Sequence, residues 1–247
     1  MKTIMIGGIH AVKQALALAP TRVEKIFLDK KVPKQLKSLE DLAKSLNILS
    51  QKCDRAVLDI KVEGAHHQGV VAQLKEIDPI LEADALERLQ GAFNPVIVLL
   101  DEVQDPQNVG GILRSCAAFG ANMLVVPERN SCKITASVRK TACGGDLIVP
   151  FLEVKNLARF IRGLQEIGIW IVGTSIDPSS LKLTRCDFKG PIALVMGAEG
   201  SGIRQNTAKQ CDFLVRLPLS PNMESLNVSV ATGICLYECW RQRQDNT

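Results

Sequence analysis

The sequence predicts an α/β protein: a mostly parallel, doubly wound sheet preceded by a smaller α/β module. From Pro95 onward, apolar runs of strand length alternate with segments of helical spacing, the order expected for a parallel sheet with helices on both faces. Residues 96–100 are apolar at every position, as in a strand covered on both faces. Ahead of them, a basic first third has its own alternation of helix and strand.

The first third, residues 1–75, carries 13 Lys and Arg against 7 Asp and Glu, a net charge of +6. Its spacing predicts helices over 9–18 and 34–46, strands over 23–28 and 69–74, and a short apolar segment over 57–60. A small basic α/β module is typical of an RNA-binding unit. A solvated basic face is the alternative that composition leaves open.

Residues 76–93 predict a linker with a short helix. They carry one basic residue against 5 acidic ones, and Asp78-Pro79 breaks the pattern ahead of a leucine-spaced stretch. The second domain would then be residues 94–247, whose net charge is +2 (16 basic against 14 acidic residues).

In this last part the pattern predicts six strands and four helices. The strands cover 96–100, 123–126, 147–150, 169–173, 192–196 and 213–217, and the helices 112–119, 136–143, 156–167 and 227–241. Asn156 is a predicted N-cap and Gly168 a predicted helix stop. Ligands of such sheets bind at the carboxyl ends of the strands.

Composition limits the function classes. Aromatic residues make up 4% of the chain, which argues against a surface that stacks many bases on aromatic rings. The net charge of +4 suits a polyanionic partner without requiring one.

The eight cysteines are scattered and form no CxxC pair, so we expect packing residues, with no disulfide framework and no metal site. The start of the chain has no secretory pattern, and no apolar segment is long enough to span a bilayer. These features predict a cytoplasmic protein.

Residues 101–115 join a buried strand to a helix and contain Asn108, Gly110, Gly111 and Arg114. Backbone N–H groups at a helix entrance favour anions such as phosphate, and a planar guanidinium one turn further along adds a fork of donors. The alternative is that Asn108 only caps the helix and Arg114 is a surface charge.

Residues 197–202, Gly-Ala-Glu-Gly-Ser-Gly, follow a late strand. They do not match G-x-G-x-x-G, and the next strand ends in Leu217-Pro218 where a dinucleotide site needs an acidic residue, so NAD is disfavoured. Glu199 either contacts a substrate hydroxyl or amine or is a solvated turn residue.

Ser225 and Asn227 lie just before the final helix, where either could act as its cap. Hydrolase chemistry is weakly supported because no G-x-S-x-G is present and all three histidines lie in the first third.

Three segments carry a family resemblance. Residues 105–115, 194–203 and 217–233, the last including Leu217-Pro218 and Ser225-Leu226-Asn227, resemble the three ordered motifs of the SpoU (TrmH-like) branch of the SPOUT RNA methyltransferases. Residues 1–75, with Gly7-Gly8-Ile9-His10 and His66-His67-Gln68-Gly69, look like the L30e-like substrate-binding extension of RlmB-type 23S rRNA guanosine 2′-O-methyltransferases. The chain departs from relatives at residues 220–224, where they often have a small, glycine-containing loop.

The resemblance implies a SPOUT-type parallel sheet with a C-terminal trefoil knot, which general topology rules disfavour. It implies a homodimer, S-adenosylmethionine as methyl donor without a metal, and the ribose 2′-hydroxyl of RNA as acceptor. The expected acceptor is a guanosine of 23S rRNA in the P loop of the peptidyl-transferase centre. A tRNA 2′-O-ribose methyltransferase and a non-catalytic RNA-binding protein are the alternatives.

The resemblance also assigns residue roles. Thr174, Gly197, Leu217 and Leu226 are the implied donor-binding residues, and the implied catalytic and substrate-contacting residues are Asn108, Arg114, Glu199, Ser225 and Asn227. Arg114 is the family's usual candidate to activate the hydroxyl. Since a guanidinium stays charged in proteins, we expect Arg114 to stabilise the forming alkoxide and to position the neighbouring phosphate.

Overall fold

A computed structural model describes residues 3–31, 34–64, 66–76, 80–198, 200 and 202–244. The chain divides into two compact units, Met1–Asp78 and Pro79–Thr247. Among the described residues, no helix combines the length and apolar character needed to cross a bilayer.

The first unit is a four-stranded mixed sheet with three α-helices. Its elements are β1 (Thr3–Gly7), α1 (Ile9–Leu18), β2 (Val23–Asp29), α2 (Lys34–Ser45), β3 (Leu49–Cys53), α3 (Arg55–Lys61) and β4 (Val70–Lys75). The order is β1-β4-β2-β3, with β4 antiparallel to β1 and β2, and β2 parallel to β3. Leu58 of α3 packs against Phe27 and Val71 on one face of the sheet. Ile26 and Leu28, on either side of Phe27 in β2, point to the other face and are also fully buried, so both faces of the sheet are covered.

The second unit is built on a seven-stranded sheet in which every pairing is parallel. Its elements are α4 (Glu82–Gln90), β5 (Val96–Asp101), α5 (Pro106–Ala118), β6 (Met123–Pro127), α6 (Ala136–Ala142), α7 (Gly145–Ile148), β7 (Phe151–Val154), α8 (Leu157–Glu166), β8 (Trp170–Thr174), β9 (Leu181–Lys182), β10 (Ile192–Gly197), α9 (Gln205–Ala208), β11 (Phe213–Arg216) and α10 (Val228–Gln244). The strand order is β7-β6-β5-β10-β8-β11-β9.

Alternate residues of β5 enter two separate cores. Val96, Val98 and Leu100 pack with residues of α5, α6 and α10. Ile97 and Leu99 pack with residues of α4 and α8. A strand buried on both faces must be apolar at every position, and the predicted doubly wound α/β architecture is therefore confirmed.

The helix in the segment predicted as a linker packs within the second unit, where Ala85 and Leu89 of α4 are buried beside Leu157 and Phe160. The finer division into residues 1–75, 76–93 and 94–247 stays a prediction.

Several predicted elements need correction. The strand predicted over 147–150 is wrong: α7 (Gly145–Ile148) occupies that stretch, and β7 begins at Phe151. A short buried apolar run does not distinguish strand from helix by periodicity. The segment over 57–60 belongs to helix α3, and β1, the exposed β3 and the two-residue β9 were not predicted.

Helix α5 begins at Pro106 rather than at the predicted residue 112. Asp105 is its N-cap, since its side chain accepts a hydrogen bond from the backbone N of Gln107 at 3.0 Å, and proline suits the first helical position. The predicted cap of α8 is confirmed, because Oδ1 of Asn156 accepts from the backbone N of Arg159 at 3.0 Å. Gly168 follows this helix with a φ of 82°.

Candidate active site

The carboxyl ends of three neighbouring strands bring together three predicted donor-binding residues. Thr174 is the last residue of β8, Gly197 is the last of β10, and Leu217 directly follows β11. Because β8 lies between β10 and β11 in the sheet, the three residues share one edge, in the place where parallel sheets bind ligands. Oγ1 of Thr174 donates to the carbonyl of Val195 at 3.2 Å, which ties β8 to β10 at this edge.

The loop after β10 folds back tightly on the strand. A Cβ atom on Gly197 would lie 2.0 Å from the carbonyl carbon of Gly202 and 2.2 Å from the backbone N of Ile203. The backbone N of Gly202 donates to the carbonyl of Ala198 at 2.9 Å. Only glycine therefore fits at position 197. Glu199 lies outside the described residues, so its predicted contact stays a prediction.

The segment between β11 and α10 carries the other predicted residues. Ser225 is exposed and Leu226 is half-buried. Asn227 caps α10, because its Oδ1 accepts from the backbone N of Ser229 at 3.0 Å and from Oγ of the same serine at 2.6 Å. The capping role considered for Asn227 is therefore real.

Asn227 also contacts Asn108. Its Nδ2 donates to Oδ1 of Asn108 at 2.8 Å, and Asn108 is only 6% exposed within α5. Since the helix N–H group fixes the Asn227 oxygen, its amide nitrogen is directed at Asn108. The structure thus joins the first and third motifs by a hydrogen bond between predicted site residues, and Asn108 is not the helix cap.

Arg114 is also on α5, but on another side of it. Arg114 is six positions after Asn108. Because an α-helix turns by about 100° per residue, the two side chains lie about 120° apart around the helix axis. Arg114 is exposed, and its Nη1 lies 3.8 Å from Sγ of Cys143. The turn between α6 and α7 packs closely here, since a Cβ on Gly145 would lie 2.6 Å from the carbonyl oxygen of Leu113.

A buried ion pair that the sequence analysis missed fixes the far side of the glycine loop. Asp101, the last residue of β5, is fully buried. It accepts from the backbone N of Arg204 at 2.9 Å and from its Nε at 2.8 Å. The hydrogen bond to Asp101 raises the pKa of Arg204 above its ordinary value. The sequence did show an acidic residue, Asp101, at the end of an apolar strand. It could not show the partner, because Arg204 is 103 residues away.

Comparison with known proteins decides the family. Residues 95–237 match the SpoU rRNA Methylase family, and residues 5–79 match a family described as RNA 2'-O ribose methyltransferase substrate binding. The chain belongs to the SpoU rRNA methylase family.

Relatives of similar length align with nearly the whole chain. A protein of Photobacterium profundum named 23S rRNA (guanosine-2'-O-)-methyltransferase RlmB is 43% identical over 246 residues, 99% of this chain and 100% of that one. The RlmB of Escherichia coli K12 is 42% identical over 240 residues, 97% and 98% of the two chains. An AdoMet-bound rRNA methyltransferase from Sinorhizobium meliloti shares the fold, with a TM-score of 0.73 at 24% identity over 97% of this chain and 87% of that one.

In the N-terminal unit, the His66-His67-Gln68-Gly69 segment is held by its own side chains. His67 is 2% exposed. Its Nδ1 accepts from the backbone N of Gly69 at 3.0 Å, and its Nε2 lies 2.9 Å from Oδ1 of Asp59. Because Nδ1 is an acceptor, Nε2 carries the proton and donates to Asp59. Gln68 accepts from the backbone N of Ile9 at 3.0 Å.

Beside this segment lies a cavity of about 480 Å³ at the carboxyl ends of β2 and β3. Lys30, Lys31 and Arg55 line it together with Asp29 and Asp54. Lys30 is paired to Asp54 at 3.1 Å. The basic character predicted for the first third is thus partly concentrated at one end of its sheet.

The cysteines of the SpoU domain behave as packing residues. Burial raises the pKa of Cys235 to about 12 and that of Cys186 to about 11, so these thiols stay protonated at neutral pH. All eight cysteines are free. Within the described parts of the chain, no group of three or more His, Cys, Asp or Glu side chains is placed to hold a metal ion.

Proposed function

We propose that this protein transfers a methyl group from S-adenosylmethionine to the ribose 2′-hydroxyl of a guanosine in 23S rRNA. The observation that carries the proposal is identity of 42–44% over nearly the full length of relatives named for that reaction. The match spans both the SpoU domain and the substrate-binding extension.

The residues at the strand ends fit the proposed donor. Thr174, Gly197 and Leu217 present backbone groups side by side, and the half-buried Leu226 follows them in the chain. The glycine at position 197 lets the backbone of Gly202 and Ile203 close against the end of β10, which fixes the strand end that would face the donor. When bound, the sulfonium supplies a methyl group that leaves with its bonding electrons remaining on sulfur.

At the acceptor, this chain must place the ribose in line and accommodate loss of a proton. Asn108, held by Asn227, would fix the ribose. The exposed Arg114 would bind the adjoining phosphate and stabilise the negative charge that develops on the 2′-oxygen. The hydroxyl proton passes to solvent or to a nearby group as the new C–O bond forms. Ser225 and Glu199 are proposed as further RNA contacts.

The proposed homodimer would form through an exposed stripe of α10. Val230, Ile234, Tyr237 and Trp240 are each 39–51% exposed and recur at the spacing of one helix face. Tyr237 stacks on Trp240, with ring centroids 6.1 Å apart. The opposite residues Thr232, Cys235, Leu236 and Cys239 are buried, so the stripe is not part of the core of this chain, and an exposed apolar patch favours an interface.

The trefoil knot, the cytoplasmic location and a P-loop guanosine of the peptidyl-transferase centre also remain proposals. The position of β10 in the sheet, between the earlier strands β5 and β8, is compatible with a chain that crosses itself. The cytoplasmic location and the target guanosine are inferred from the proposed rRNA substrate.

The test is transfer of methyl-labelled S-adenosylmethionine to purified 23S rRNA and tRNA from a strain that lacks the corresponding enzyme. We expect label in 23S rRNA and none in tRNA. Label confined to tRNA would replace the substrate assignment with the tRNA alternative. No label in either, with RNA binding retained, would favour the non-catalytic RNA-binding protein.

A further inference from the structure

A second cavity, of about 530 Å³, lies in the SpoU domain. It opens where β6 and β7 end, and the start of α8 and residues 204–207 complete its wall. Three cations line it, Arg129, Lys155 and Arg204, together with four side-chain amides. None of the described residues that line it is acidic. The reaction described above uses none of these three cations.

Two of the three cations form no ion pair with a carboxylate of the described residues. Arg204 is paired with Asp101 at 2.6 Å and with Glu102 at 3.2 Å. Arg129 and Lys155 are exposed, and no ion pair joins either side chain to another described residue. The residues that line the cavity therefore carry an excess of positive charge, which attracts anions.

Two carboxylates lie close by without lining the cavity. Glu82 is engaged by the backbone N of Lys155 at 2.9 Å and by Nη2 of Arg159 at 2.6 Å. Glu128 precedes Arg129 and is exposed. Since Glu82 is already bonded to two other groups, the Lys155 ammonium is available to a ligand.

The segment that carries Arg129 is ordered by backbone contacts at both ends. The backbone N of Glu128 donates to the carbonyl of Val154 at 2.9 Å, and that of Cys132 to the carbonyl of Val103 at 3.3 Å. Between them, Nδ2 of Asn130 donates to Glu102 at 3.2 Å. A fixed backbone lowers the entropic cost of binding a ligand. Leu157 and Ala158, in the first turn of α8, line the same wall.

We propose that this cavity binds a backbone phosphate of the RNA substrate, near the nucleotide that is methylated. This rests on the proposed function. Along the sheet, β5 separates β6 from β10, so the cavity and the Gly197 strand end are about two strand spacings apart, or ~10 Å. Arg204, which follows the glycine loop and lines the cavity, connects the two regions. A short stretch of single-stranded RNA could hold its reacting ribose next to the bound donor and place a neighbouring phosphate in the cavity.

The test compares two double variants of the full-length protein. Arg129→Ala with Lys155→Ala removes the two unpaired cations. Arg185→Ala with Lys189→Ala is the matched control, because both residues are exposed and lie in the connection that enters the amino end of β10. RNA affinity is measured against salt, alongside KM, kcat and donor affinity.

We expect the Arg129/Lys155 variant to bind 23S rRNA fragments about tenfold more weakly at moderate salt. The dependence of log K on log salt should become shallower by about 0.7 for one lost phosphate contact. KM for RNA should rise while kcat at saturating RNA and affinity for S-adenosylmethionine stay within twofold of wild type. Equal behaviour of the test and control variants would overturn the proposal.

A free mononucleotide could supply the same phosphate chemistry, so guanosine 5′-monophosphate is titrated as a separate probe. Tight binding of this probe to wild type, lost in the Arg129/Lys155 variant while RNA affinity is unchanged, would also overturn the proposal. Absence of methyl transfer by wild type would contradict the proposed function alone, because the RNA-binding comparison still tests the cavity.

Discussion

At the residue scale, the hydrogen bond between Asn108 and Asn227 links two motifs that are 119 residues apart. Asn227 has two roles in this arrangement, since one amide atom caps α10 and the other is directed at Asn108. The two roles can be separated by substitution, because serine caps a helix as well as asparagine does but is too short to reproduce the amide contact.

We expect Asn227→Ser to keep the helix cap and to lose about 1 kcal/mol of stability for the broken bond to the buried Asn108, while turnover falls about as far as in Asn108→Ala. Asn227→Ala should lose about 1 kcal/mol in addition, because the cap is gone. Thermal unfolding and single-turnover methyl transfer measure the two effects. The Asn108/Asn227 double variant should be less impaired than the two single effects combined. Wild-type turnover in Asn227→Ser would refute the contact role.

Gly197 sets a second residue-scale constraint. In Gly197→Ala the new Cβ would lie 2.0 Å from backbone, so the 197–202 loop must move. We expect a loss of about 1–3 kcal/mol of stability, as for an overpacked site, and loss of donor binding in calorimetry. Gly190→Ala is the control, since nothing lies within 4 Å of its Cβ position. Unchanged donor affinity in Gly197→Ala would remove this loop from the donor site.

At the scale of elements, hydrogen bonds fix α10 at both ends. At its start, the cap residue Asn227 contacts Asn108. Near its end, Arg243 donates to the carbonyls of Phe188, Asn94 and Gly190 at 2.6–2.9 Å. One turn earlier, Glu238 accepts from Nε and Nη2 of Arg241 at 2.9 and 2.8 Å. These bonds hold the helix that begins at the candidate active site.

The hydrogen bonds from Arg241 hold the pKa of Glu238 below its ordinary value of 4.5. A carboxyl with a lowered folded-state pKa stabilises the protein above its unfolded pKa and loses that effect as pH falls through the folded value. Glu238→Gln should therefore cost about 0.5–1 kcal/mol at pH 7, and the difference from wild type should shrink below pH 4.5. Urea unfolding at pH 7 and at pH 4 checks this. A difference that grows on acidification would contradict it.

The sequence predicted the features that depend on neighbouring residues and missed those that depend on residues far apart in the chain. The apolar runs of β5 and β10 and the cap of α8 were predictable because each is a local pattern. The early start of α5 was also locally encoded, in Asp105-Pro106, and was overlooked. The Asp101–Arg204 ion pair and the Asn108–Asn227 bond connect residues far apart in the chain, so no spacing rule could pair them. The family resemblance supplied the site residues, and the fold places five of them at neighbouring strand ends or in contact.

At the scale of the whole molecule, the exposed stripe of α10 makes the oligomeric state testable. Ile234→Glu would place a charge in the centre of the proposed interface and should give a monomer by light scattering at a concentration where wild type is a dimer. Ile60→Glu, at a site that is 78% exposed in the first unit, is the matched control and should leave the mass unchanged. A wild-type monomer, or an Ile234→Glu dimer, would contradict the proposed interface.

The central claim is that the acceptor is a guanosine 2′-oxygen of 23S rRNA. A 2′-O-methylated ribose cannot form the cyclic phosphate through which alkali cleaves RNA, so alkaline hydrolysis leaves an intact dinucleotide at each modified position. Purified protein is incubated with labelled S-adenosylmethionine and unmodified 23S rRNA, and the hydrolysate is separated and identified by mass spectrometry. We predict that the label is recovered in a single alkali-resistant dinucleotide beginning with 2′-O-methylguanosine. Label in alkali-sensitive mononucleotides would show methylation of a base and contradict the account.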